Sequence, residues 1–159
     1  MPDTSAYLSE RLLDEGEKSI AFFQALTPEQ LNQIVYTEGS RWTARQVMAH
    51  FASAERSLLK LIENIAAGGV GSPVDFDVNG YNERKVNELK DESLLDLVEK
   101  FRQNRLKTAT FVAGLETEEL QRQGRHPFLG VAPLFEIIKI IYRHNQIHQR
   151  EIRQELKST

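Results

Sequence analysis

Cysteine is absent from the 159-residue chain, which excludes disulfides, thiolate metal sites and a cysteine nucleophile together. An excess of basic charge is missing too. The 20 Lys and Arg stand against 23 Asp and Glu, a formal net charge of −3 with the two signs interleaved. A nucleic-acid surface would gather basic side chains into a patch, so no nucleic-acid partner is expected. Long apolar runs are also lacking. The stretch LFEIIKIIY is broken by Glu136 and Lys139, well short of the roughly 20 apolar residues of a membrane span. MPDTSAYLSERLLDEGEK carries no basic segment followed by an apolar run, so no secretory signal is read there. The resulting expectations are no membrane association and a cytoplasmic location. Finally, H-E-x-x-H, G-x-S-x-G, a phosphate loop and a Rossmann fingerprint are all missing, which removes the commonest hydrolase and nucleotide-binding signatures.

What is present reads as helix. Leu8, Leu12, Ser19, Ile20 and Phe23 recur near the helical period and predict a first helix over about residues 5–25. After it, Thr27, Pro28 and Gln30 fit the cap, first and third positions of a short turn. In GSRWTARQV, Thr43 and Gln46 form a capping box flanked by a Trp42/Val47 hydrophobic staple. The second helix then carries Val47, His50, Phe51, Ala54, Leu58, Leu61 and Ile65 on one stripe. AAGGVGSPVDFDVNGYN has no sustained period and reads as a long packed crossing, with a short turn over Glu83–Leu89. A third helix from Glu92 or Ser93 turns Leu94, Leu97, Val98, Phe101, Leu106 and Phe111 inward. LETEELQRQGRHPFLGVAP is a connector, and Pro133 opens the last helix. Four long helices with one apolar face each predict a single all-α domain over residues 1–159, a four-helix bundle with a long crossing between helices 2 and 3.

The last helix places Leu134, Ile137, Ile141, His144, His148 and Ile152 on one face, with Ile140 and Ile147 as a second apolar flank. That flank suits cover by the long crossing or by another subunit. A lone inward histidine is ordinarily a hydrogen-bonded core residue. Two of them four residues apart lie one above the other on a helix, close enough to share a metal. His50 faces inward from a different helix and supplies a third ligand. Three imidazoles leave an open coordination position, as in catalytic centres, and imidazole favours zinc, nickel, copper or ferrous iron over calcium or magnesium. Satisfied core histidines remain the rival reading. His126, ahead of a proline in a connector, reads as structural or mouth-lining.

Glu55 falls on the flank of the inward stripe and is the candidate catalytic carboxylate, as a partner for a ligand histidine or a bound water; a solvated or salt-bridged flank explains it equally well. Asp75, Asp77 and Asn82 belong to the crossing, which can approach the open coordination position, although Asp75 and Asp77 equally suit the capping of local turns. Trp42 and Tyr81 fit a pocket wall, or more simply a staple and loop packing.

The set EGSRWTARQVMAHFASAE, VDFDVNGYNERKV, GRHPFLG and LFEIIKIIYRHNQIHQREI resembles the DinB/YfiT-like family of metal-dependent enzymes over nearly the whole chain. The resemblance implies an up-down-down-up four-helix bundle, a divalent metal on residues matching His50, His144 and His148, and a homodimer. Characterised relatives include bacillithiol-dependent transferases and a mycothiol-dependent isomerase. The expectation is therefore a metal-dependent enzyme acting on a small-molecule substrate: a thiol-dependent transferase using zinc or nickel and a low-molecular-weight thiol cosubstrate. A metal-dependent hydrolase is the first alternative. A non-catalytic, metal-stabilised bundle dimer or small-ligand-binding module is the second.

Overall fold

Thr4, Thr27, Thr43 and Ser93 each accept a hydrogen bond from the backbone N–H three residues further on, and these caps fix where four helices begin. Thr27 and Thr43 add the reciprocal glutamine contact of a full capping box. The computed structural model describes residues 3–36 and 39–157. In chain order it contains α1 (Ser5–Gln24), α2 (Pro28–Leu31), α3 (Ala44–Ala66), α4 (Val78–Glu88), α5 (Leu94–Ala113), α6 (Thr117–Leu120), β1 (Gln123–His126), β2 (Gly130–Pro133) and α7 (Leu134–Lys157).

The four long helices α1, α3, α5 and α7 form the expected bundle. α1 packs on α5 and α7, and α3 packs on the same two, whereas α1 and α3 touch little. The first two long helices thus sit diagonally, and because the up-down-down-up topology runs the adjacent α3 and α5 in the same direction, the connection between them must travel. It does so through the loop after Ala66 and then α4, which lies against α3.

Two apolar clusters fill the bundle. One contains Leu8, Leu12, Ile62, Ile65, Val112 and Ile137; the other contains Phe23, Met48, Phe51, Val98, Phe101 and Ile152. Fully burying such side chains contributes about 1.5–3 kcal/mol each. Each long helix passes from one cluster to the other through buried polar residues: Glu15 and Ser19 on α1, Glu55 on α3, Arg105 and Thr108 on α5, Asn145 and Gln149 on α7. A polar layer therefore crosses the middle of the bundle. Arg105 Nε and Nη2 donate to the two carboxylate oxygens of Glu55 at 2.7 and 2.9 Å, Nη1 donates to Leu12 O at 2.8 Å, and Nη2 reaches Asn145 Oδ1 at 2.6 Å. Gln149 Nε2 donates to Ser19 Oγ at 2.7 Å.

Three expectations change. On α5, Leu106 is 56% exposed while Arg105 is 2% exposed; the guanidinium turns inward because Glu55, Leu12 O and Asn145 satisfy it. The short turn of the crossing is a full helix, α4, whose N-cap is Asp77 accepting from Gly80 N. The connector before the last helix contains an antiparallel hairpin, β1–β2, pairing Gly124 with Ala132 and Arg125 with Val131. Pro133 consequently ends β2, and α7 opens at Leu134.

The hairpin also holds the crossing. Arg125 N donates to Val70 O and Ser72 N donates to Arg125 O, both at 2.9 Å. Between them Gly71 has φ +88°, and a Cβ there would meet Arg125 N at 2.4 Å. Only glycine fits that approach.

Candidate metal centre

His50 lies on α3 one residue before Phe51 and is 4% exposed. His144 and His148 stand on successive turns of α7. The diagonal arrangement brings α3 and α7 face to face, and one nitrogen from each of the three imidazoles falls within 4.8 Å of the others. His144 and His148 meet through their Nε2 atoms at 2.8 Å, and the His50 ring stands edge-on to both, with centroids 5.2 and 5.6 Å away. Trp42 packs on His50 at 5.0 Å between centroids, and Phe51 closes on His148 at 5.7 Å. Phe51 belongs to the buried core behind the cluster, whereas Trp42 forms part of the wall of a cavity in front of it.

Burial makes all three imidazoles weak bases. Desolvation is the main cause, with neighbouring imidazoles adding to it, and each pKa falls to about 3. The cluster is therefore neutral near pH 7, the protonation state in which imidazole donates to a metal. His50 Nδ1 is buried with no hydrogen-bond partner, an uncommon state for a core histidine. An orphaned nitrogen and convergent neutral imidazoles fit a divalent ion better than a satisfied core.

A partner that the sequence did not reveal orients the third ring. Tyr36, in the loop between α2 and α3, places its hydroxyl 2.5 Å from His148 Nδ1 and donates to Glu151 Oε1 at 2.7 Å. With its proton on Glu151, the phenol accepts from His148 Nδ1–H, which leaves the Nε2 lone pair facing the cluster. Burial and the Glu151 carboxylate push the Tyr36 pKa upward, so the phenol stays protonated. The only signal for Tyr36 was a tyrosine shortly ahead of the capped helix, and no periodicity reaches across a loop.

The other candidates are not among the converging nitrogens, although Tyr81, Asn82 and His126 line the cavity beside them. Both Glu55 oxygens are held by Arg105, so Glu55 belongs to the polar layer and its carboxylate is not directed at the imidazoles. Asp75 is exposed, and Asp77 caps α4. Tyr81 shares a 2.6 Å hydrogen bond with Ser57, tying α4 to α3. His126 is buried, its pKa lowered by desolvation. Its Nδ1 accepts from Phe128 N and Leu129 N at 3.1 and 3.2 Å, shaping the hairpin turn.

Two cavities open beside the cluster. One, of about 670 Å³, lies under the crossing and the hairpin, and the Ile140/Ile147 flank forms part of its wall. The other, of about 610 Å³, lies on the Tyr36 side. His50, His144 and Asn82 line both. Among the described residues, no helix is long and apolar enough to cross a membrane.

Comparison with known proteins agrees with the fold. The model of the DinB superfamily matches residues 11–152. No curated protein sequence matches. Among solved structures, YfiT from Bacillus subtilis, described as a probable metal-dependent hydrolase with an unusual four-helix bundle topology, superposes with a TM-score of 0.77 at 16% identity, covering 97% of this chain and 86% of that one. An uncharacterized protein from Clostridium difficile 630 superposes with a TM-score of 0.73 at 18% identity, covering 97% of this chain and 96% of that one.

Proposed function

The chain belongs to the DinB superfamily, and on that premise we propose that it is a metal-dependent enzyme that hydrolyses a small molecule, with His50, His144 and His148 as ligands of zinc or nickel. One observation carries this reading: three neutral imidazoles, one buried and two half-buried, converge where two cavities meet. Bound there, the ion supplies Lewis acidity and makes water a nucleophile near neutral pH. The chain's own residues do the rest. Tyr36 and Glu151 fix the tautomer of His148. Phe51 closes the core side of the cluster. Asn82, shared by both cavities, offers an amide to orient the substrate. The similar bundle of YfiT, with its hydrolase description, supports hydrolysis over the thiol-dependent transfer expected from the family resemblance.

Transfer to an electrophile from a low-molecular-weight thiol is the second reading, and one feature favours it. Among the described residues, no Asp or Glu lines the larger cavity, Glu83 lines the smaller one from an exposed position, and Glu55 is committed to Arg105. A thiol that loses its proton on binding a metal needs no protein base. A homodimer stays part of the proposal, supported by Ile147, which remains 46% exposed at the cavity edge.

Protein purified without chelator is expected to carry about one zinc or nickel ion per chain, the content of a single three-histidine site. His50→Ala and His144→Ala should each lose most of it. Retention of the same metal content by both variants would refute the site. Metal-dependent turnover of an ester and amide panel supports hydrolysis. Turnover only with an added thiol and an electrophile would replace hydrolysis by transfer.

A further inference from the structure

The two cavities share His50, His144, Asn82 and Phe128 but differ in the polar groups at their mouths. The larger is walled by Ala54, Leu58 and Leu61 from α3, Phe76 from the crossing, Phe128 from the hairpin and Ile147 from α7. Its charged lining groups are Lys60 and Arg143, both exposed and therefore at its solvent edge. The smaller cavity carries Arg41, Asn79 and Glu83 at its own solvent edge, beside Ser40 and the rings of Tyr36, Trp42 and Phe128. A volume of about 670 Å³ is in the range that encloses a small organic molecule. Water alone gains little from such apolar walls, whereas each buried methylene of a ligand does. A substrate with no apolar part would leave Phe76, Phe128 and Ile147 without a purpose at the mouth of the site. A wholly apolar one would leave Arg41 and Asn79 at the mouth of the smaller cavity unused.

We infer that the substrate has two arms: an apolar acyl or aryl arm held between α3, α7, the crossing and the hairpin, and a short polar arm directed to Arg41 and Asn79. The linkage between them lies against His50 and His144. The position of the linkage rests on the triad holding a metal as proposed; the two arms do not.

N-acylglycines whose acyl group grows from acetyl to decanoyl test this with the full chain, stripped of metal and titrated by calorimetry. Affinity is expected to rise about fourfold per added methylene until the cavity is full. Ala54→Trp, which fills the cavity, and Ile147→Asn, which adds polarity at the cavity edge, should both flatten the series. Ile147→Asn carries the test if Ala54→Trp does not fold. A flat series in the unmodified protein, or one equally steep in the folded variants, would overturn the apolar arm. Equal affinity for N-octanoylglycine and N-methyloctanamide would overturn the polar arm. A steep series in a protein that takes up no metal upholds the two arms and removes the metalloenzyme reading. A flat series in a protein that loads an ion does the reverse.

Discussion

Tyr36 shows how much of a site depends on a residue outside the ligand set. Its hydroxyl fixes which nitrogen of His148 faces the cluster. Tyr36→Phe should therefore weaken metal binding by about 10- to 100-fold, the usual consequence of losing such a partner, with the fold intact; competition against a chromophoric chelator reads this directly, and an unchanged affinity would deny Tyr36 the orienting role. Glu55 invites the opposite experiment. Removing its charge leaves Arg105 buried and unpaired, so Glu55→Gln should cost about 3–5 kcal/mol in urea denaturation. Adding Arg105→Met should return much of that loss, because replacing a buried pair by apolar groups is often neutral. At this scale the sequence disclosed the three histidines, because four-residue spacing and one helical face are local properties. It did not disclose Tyr36 or Arg105. Tyr36 reaches α7 from a loop, and Arg105 occupies an inward position that hydrophobic periodicity gives to Leu106.

Among the elements, legibility followed the strength of local signals. The start of α3 was readable to the residue because Thr43, Gln46, Trp42 and Val47 agree. α4 was read as a short turn because VNGYNERKVNE is rich in Asn and contains Gly, both poor helix formers; Asp77 and packing on α3 stabilise it instead. The hairpin was missed because its strands have only four residues each and its turn depends on the His126 ring accepting two backbone N–H groups. The polar layer has a consequence for all four long helices. A slide of one turn would bring Arg105, Glu55 and Asn145 out of register and leave buried charge unpaired, so the layer fixes the relative heights at which α3 and α7 present their histidines.

For the whole molecule, the buried imidazoles set an acid limit on stability. In the metal-free protein, His50, His144 and His148 hold pKa values near 3, against about 6.5 in the unfolded chain. Between these values the unfolded state binds protons that the folded state refuses. Their contribution is thus present in full above about pH 6.5 and is lost as pH falls toward 3. Urea midpoints of chelated protein should fall between about pH 7 and pH 4, and less steeply in His148→Gln; identical slopes would show that the ring is not held neutral by burial. A different limit comes from the backbone clasp at Gly71. Two main-chain hydrogen bonds and a missing side chain join the crossing to the hairpin over the larger cavity. Gly71→Ala would force Arg125 away while adding only one methyl group to the cavity lining, of which Gly71 is part. Stopped-flow mixing should then show a ligand entering and leaving faster by similar factors, with its dissociation constant little changed. In that case Gly71 sets how long a ligand resides, a property separate from how tightly it is held.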